Sequence, residues 1–148
     1  MAAKRVPFRR VLLWIVTVLV LLFIFGQSIL PETVSAEESG WFRTHIMTPL
    51  FGLVGLQPPS HQTVRKMAHV FEFAVLATLS VFCFRGRWFK SAFVCFTVAF
   101  LDESLQLLTA RGAQIQDVWI DLIGIALGTL LGLLLFRLFN RHRNNNPS

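Results

Sequence analysis

DESLQLLTARGAQIQDVWIDLIGIALG, residues 102–128, decides how this chain is read. Asp102 and Glu103 close a long apolar run. Gln106 follows, then a polar turn with Arg111, Gln114 and Gln116. Asp117 and Asp121 open the next apolar run, with Gly124, Gly128 and Gly132 stepping along it. An ionisable side chain at mid-membrane costs about 2.5–3.5 kcal/mol on insertion scales. A hairpin that carries four acids into apolar surroundings must pair them or use them.

Outward from this hairpin the chain is a succession of apolar runs. Residues 11–30 are broken only by Thr17, Gly26, Gln27 and Ser28, and Pro31 stops them. Residues 67–84, 91–108 and 118–139 form three more runs. At a rise of about 1.5 Å per residue, such runs match a hydrocarbon core about 30 Å thick. With 54% hydrophobic residues in 148, the chain falls in the integral membrane class and is not expected to bury a soluble core. The expected fold is all-α: an integral membrane four-helix bundle with helices at about 11–30, 67–84, 91–108 and 118–139. A basic segment, residues 1–10, precedes it, and residues 140–148 read as a disordered polar tail.

Residues 32–66 form the longest stretch between runs. Within them, 41–56 is moderately apolar but interrupted by Pro49, Gly52 and Gly55, which suits a re-entrant or interfacial segment or a plain external loop. Val34-Ser35-Ala36 would pass as a signal-peptide cleavage site. The preceding apolar run is longer than the usual h-region of about 7–15 residues, which favours an uncleaved anchor.

The net charge of +6 does not point to nucleic acid, because the basic residues flank the apolar runs. Lys4, Arg5, Arg9, Arg10, Arg85, Arg87, Lys90, Arg137, Arg141 and Arg143 fall on one side of the expected bundle. Arg43, Arg65, Lys66 and Arg111 fall on the other. The positive-inside rule then puts both termini in the cytoplasm. Cys83 and Cys95 lie either side of a short cytoplasmic loop and read as small packing residues.

This topology gathers the polar groups in the outer leaflet. His69 and Glu72 lie in the outer half of the second run, Asp102, Glu103 and Gln106 in that of the third, and Asp117 and Asp121 in that of the fourth. Lys66, His69 and Glu72 share one helix side by steps of three. Asp117, Asp121, Gly124, Gly128 and Gly132 step by four and three, so the acid-bearing face is also a small-residue packing face. Structural ion pairing would set Lys66, His69 and Arg111 against Glu72, Asp102, Glu103, Asp117 and Asp121. The acids outnumber these bases, leaving negative charge that a proton or a cation would balance. His45 and His61 read as solvated loop residues. Phe71, Phe73, Phe82 and Phe84 read as lipid-facing or packing residues.

Lys66-x-x-His69, Asp102-Glu103-x-x-Gln106, Arg111-x5-Asp117 and Gly124-x3-Gly128 together resemble the VanZ-like family of small membrane proteins, over roughly residues 27–133. The Gln27-Ser28 ending of the first run fits the same resemblance. Asp121 departs from it, standing where many relatives would carry asparagine. The resemblance implies a multi-pass protein of the bacterial cytoplasmic membrane. Through the family's namesake it also implies a part in glycopeptide resistance.

Three functions suit these residues to different degrees. The favoured one is an outward-facing polar pocket that binds an envelope amphiphile, lipid headgroup, lipid-linked molecule or glycopeptide. There Arg111 meets an anionic group, and Glu103 and Asp117 hold Arg111 or a ligand cation. The alternative is a metal-dependent enzyme acting on a lipid-linked substrate at the outer leaflet. In it His69, Asp102, Glu103 and Asp117 hold a divalent cation and Glu72 or Glu103 acts as base. The sequence offers no metal motif of fixed spacing and no activated serine or cysteine, so a non-enzyme is favoured and no cofactor is expected beyond such a cation. Transport by a proton relay fits poorly, because the inner halves of the runs are apolar and four helices are few without oligomerisation. Membrane lipids are the expected partners, oligomerisation is open, and nucleic acid is not expected.

Overall fold

The computed structural model describes residues 7–30, 32–108 and 117–145. Among these, every regular element is helical. The order is α1 (Phe8–Ile29), α2 (Glu32–Phe42), a π-helical turn (Arg43–Met47), α3 (Thr48–Leu53), α4 (His61–Cys83), α5 (Trp88–Leu108) and α6 (Asp117–Asn145). Among the described residues, four helices are long and apolar enough to cross a membrane: α1, α4, α5 and the part of α6 from Asp117 to His142.

Capping chemistry sets several helix ends that hydropathy alone misplaces. α4 starts at His61, not at Met67 where the apolar run begins. Ser60 caps it, its Oγ accepting from the Thr63 N–H at 3.2 Å, and Pro58-Pro59 just before cannot be helical interior. His61 is therefore a first-turn helix residue and His45 lies in the π-helical turn, not in loops as expected. α6 runs on through Asn145, past the expected end at residue 139. Arg141, about one turn before its C-terminus, suits the helix dipole there. Residues 41–56 are neither plain loop nor a spanning element, being mostly the end of α2, the π turn and α3. Their Trp41, Ile46, Leu50, Leu53 and Val54 are exposed.

The α4–α5 turn is tight. Arg85 and Gly86 both have positive φ, and the Gly86 N–H donates to the Val81 carbonyl at 2.8 Å, closing the end of α4. A Cβ on Gly86 would lie 2.7 Å from the Phe136 ring. That contact puts the C-terminal ends of α4 and α6 side by side. Trp14 of α1 meets Phe84 edge-on at 5.8 Å at the same end. Phe82 packs on Phe136 and Phe139, while Phe71 is exposed and Phe73 is wholly buried.

The core is small: Ile24, Phe73, Leu76, Ala77, Cys95, Val98, Ala99 and Ile125. Outside it large apolar side chains cover the surface, among them Leu19, Leu22 and Phe23 of α1, Phe93, Phe96 and Phe100 of α5, and Leu127, Leu130 and Leu134 of α6. Hydrocarbon accommodates that surface where water would not. Both cysteines are free and buried. Cys83 Sγ lies 3.3 Å from Thr17 Oγ1, and Cys95 Sγ lies 3.5 Å from Ser80 Oγ.

α4 and α6 run parallel and make the closest contact in the bundle. A Cβ on Gly124 would lie 2.5 Å from the Val70 carbonyl oxygen, one on Gly128 2.1 Å from that of Ala74, and one on Gly132 3.1 Å from Thr78 Cα. The matching four-residue steps on the two helices let backbone approach backbone. Thr78 Oγ1 lies 2.8 Å from the Ala74 carbonyl and 3.0 Å from that of Gly128, so its one hydroxyl proton links the helices.

Candidate functional site

The glycine contact fixes what happens a turn or two above it. With α4 and α6 held this close and parallel, His69 is brought to Asp121 and Lys66 to Asp117. His69 Nδ1 lies 3.4 Å from Asp121 Oδ1, and Lys66 Nζ 3.9 Å from Asp117 Oδ1. α5 runs the other way and ends beside the start of α6. Its Asp102 and Gln106 are four residues apart and share one helix face.

Asp102 is held from two sides. Gln106 Nε2 donates to its Oδ2 at 2.9 Å, and Ser28 Oγ, at the end of α1, donates to its Oδ1. The Ser28 hydroxyl also lies 3.1 Å from the Ile24 carbonyl and 3.4 Å from Gln106 Nε2. One polar residue from α1, two from α5, His69 from α4 and Asp121 from α6 thus meet at one end of the bundle.

The carboxylates there are deeply buried and unequally satisfied. Asp102 and Asp121 are 0% exposed and Glu103 is 5% exposed. Among the described residues, neither oxygen of Asp121 or Glu103 has a hydrogen-bond partner, and neither does His69 Nδ1. Glu103 lies about 100° around α5 from Asp102, and its strongest electrostatic neighbours are Asp121 and Asp117. One donor atom from each of His69, Asp102 and Asp121 can be chosen so that all lie within 4.8 Å of one another.

Beside this cluster lies a half-open cavity of about 610 Å³. Its apolar wall includes Trp41, Phe42, Met47, Met67 and Phe71. Its polar lining is Gln27, Ser28, Ser39, Arg65, His69, Glu72 and Gln106. His69 and Gln106 therefore belong both to the cavity and to the cluster behind it.

The structure brings His69, Asp102, Gln106 and Asp121 into one group, with Glu103 beside it. It sets Glu72 on the cavity wall and Lys66 with Asp117 at the rim. Gly124, Gly128 and Gly132 face α4. Arg111 lies outside the described residues. Sequence reasoning did not select Ser39, Trp41 or Arg65 as site residues. It used Gln27 and Ser28 only for the family likeness, although two polar residues ending an apolar run were the available signal.

Comparison with known proteins fits this picture. The chain is 41% identical over 64 residues to a protein of Bacillus subtilis (strain 168) named uncharacterized membrane protein YwnJ. The match covers 43% of this chain and 45% of that protein, so it spans less than half of either. No solved structure matches. The profile of the VanZ/LLP1 family matches residues 11–140, nearly all of the bundle and the polar cluster within it. This multi-pass membrane chain belongs to the VanZ/LLP1 family.

Proposed function

We propose that the protein binds the polar end of an envelope amphiphile in the cavity between α1, α2, the π turn and α4. The carrying observation is the mixed lining of that cavity. Trp41, Phe42, Met47, Met67 and Phe71 line it together with side chains of both signs of charge, Arg65 and Glu72. Ligand sites are commonly cavities of about 300–1,000 Å³ with few polar groups in an apolar lining. This one lies at the end of a bundle whose flanks are apolar, where a lipid tail would stay in the bilayer while its headgroup enters.

The bundle sits in this reading in the bacterial cytoplasmic membrane, with the cavity facing outward. Arg85, Arg87, Lys90, Arg137 and Arg141 gather at the opposite end, as the positive-inside rule requires of a cytoplasmic face. An outward site that sequesters or shields a lipid-linked molecule would alter glycopeptide susceptibility.

The test is expression of wild type, Arg65→Gln and Trp41→Ala in a glycopeptide-susceptible host, with membrane abundance, susceptibility and lipid co-purified in nanodiscs measured together. Wild type is expected to retain a lipid and to lower susceptibility. At equal abundance both variants are expected to lose most of each effect. Variants that retain the same lipid at wild-type levels would sink the reading.

A further inference from the structure

We infer that His69, Asp102 and Asp121 form a binding site for a divalent transition-metal cation of the zinc or manganese kind, set behind the amphiphile cavity. The donor set is one imidazole nitrogen and two carboxylates from three helices, its chosen atoms within 4.8 Å of one another. Metal–ligand bonds of about 2.0–2.2 Å place ligand atoms roughly 3–4 Å apart. Small side-chain rotations would close the site on an ion. A mixed nitrogen and carboxylate set suits zinc or manganese better than magnesium, which prefers oxygen donors alone.

Three features separate this cluster from an ordinary group of acids. Asp121 is fully buried and pairs with His69 Nδ1 at 3.4 Å, and among the described residues neither its carboxylate oxygens nor that nitrogen has a hydrogen bond. The two form an ion pair that meets no hydrogen-bond geometry, and an ion between them would engage both atoms more directly. Asp102, by contrast, is already oriented by Gln106 and Ser28. This is how outer hydrogen bonds aim a ligating carboxylate. Finally, Glu103 lies buried with both oxygens unpartnered and with Asp121 as its strongest electrostatic neighbour. Two positive charges at the cluster would offset that repulsion.

The ion would be reached from the cavity, since His69 and Gln106 line it. The inference does not depend on amphiphile binding, because the ion is assayed with no added ligand. Full-length protein in nanodiscs is stripped with EDTA, loaded with Zn²⁺ or Mn²⁺, desalted and measured by elemental analysis. Wild type is expected to keep about one ion per chain, and Asp121→Asn and His69→Gln fewer than about one per ten chains, each having lost a direct ligand. Gln106→Leu is expected to keep the site and bind roughly 10–100-fold more weakly.

Melting supplies a second readout that a purely structural role would not move. Zn²⁺ is expected to raise the wild-type Tm by several degrees and EDTA to reverse this. The Tm of Asp121→Asn should respond to neither. Wild type that retains no ion and melts identically with Zn²⁺ and EDTA would overturn the inference, even were both variants to misfold. So would Asp121→Asn that retains the ion.

Discussion

α4 and α6 touch along two stretches, and the two treat their polar groups in opposite ways. Along the lower stretch Gly124, Gly128 and Gly132 bring backbone against Val70, Ala74 and Thr78, and Thr78 bridges the helices by its hydroxyl. Along the upper stretch the same helices face each other with Lys66 and His69 against Asp117 and Asp121, and the buried carboxylate of Asp121 has no hydrogen bond. Between lipid-embedded helices, association comes from close packing and from satisfied polar groups. The lower stretch has both. The upper stretch instead sets buried, poorly satisfied charged groups against one another, and burying such groups costs stability.

The largest effect should come from the lower stretch. Gly128→Leu would drive a side chain into the Ala74 backbone, and we expect membrane abundance to collapse. The alanine series grades the same idea. Gly128→Ala should cost most, on the order of 3 kcal/mol, since its Cβ would sit 2.1 Å from a carbonyl oxygen that cannot step aside. Gly124→Ala should follow and Gly132→Ala cost least, while Gly26→Ala, with nothing within 4 Å, should be silent. Thermal melting of the four variants in one detergent checks the order. A flat series would mean that the helices are not packed this closely.

Next in size, and opposite in sign, is Glu103→Gln. Its carboxylate is buried, unpartnered and beside Asp121 and Asp117. An amide removes the charge and supplies N–H donors among acceptors. Stability without added metal should rise by on the order of 1 kcal/mol. A fall in Tm would show that Glu103 is structural, and would erase the contrast between the two stretches.

Thr78→Val tests the bridge itself. The two carbonyls it reaches already serve helical hydrogen bonds, and polar contacts between membrane helices average only about 0.6 kcal/mol. A loss of about that size is expected, well below the cost of Gly128→Ala. A larger one would place the seam's strength in hydrogen bonding and not in close packing.

How much of this was legible beforehand follows from what each feature depends on. The four spanning helices were readable because apolar length is a local property, and the gathering of acids at one end followed from alternating topology. The start of α4 was misread by six residues because Ser60 and the two prolines, not hydropathy, set it. The glycine steps were visible, but that they meet a matching face of α4, and so deliver His69 to Asp121, depends on the register between two helices. Asp102 and Glu103 are neighbours in sequence and look alike there. Only packing makes one a well-supported carboxylate, held by Ser28 and Gln106, and leaves the other without a hydrogen bond among the described residues. The cavity wall was least legible, since Trp41, Phe42 and Met47 come from a segment whose helical form its prolines and glycines conceal.

The smallest effect is expected at Lys66, and it bears most directly on the comparison. Its ammonium lies 3.9 Å from Asp117 Oδ1, and the two side chains are 50% and 32% exposed. A pair this open is screened and pays side-chain entropy to form, so such pairs contribute about 0–1 kcal/mol. Lys66→Met should therefore melt within about 0.5 kcal/mol of wild type, below even Thr78→Val. The rim pair would then be a boundary feature, and the upper stretch would owe little of its position to ion pairing. Were Lys66→Met instead to cost more than Thr78→Val, charge attraction across the rim would be holding α6 against α4. His69 and Asp121 would become the buried continuation of one structural ladder, and the metal measurement would be the only remaining way to tell a ligand set from a salt bridge.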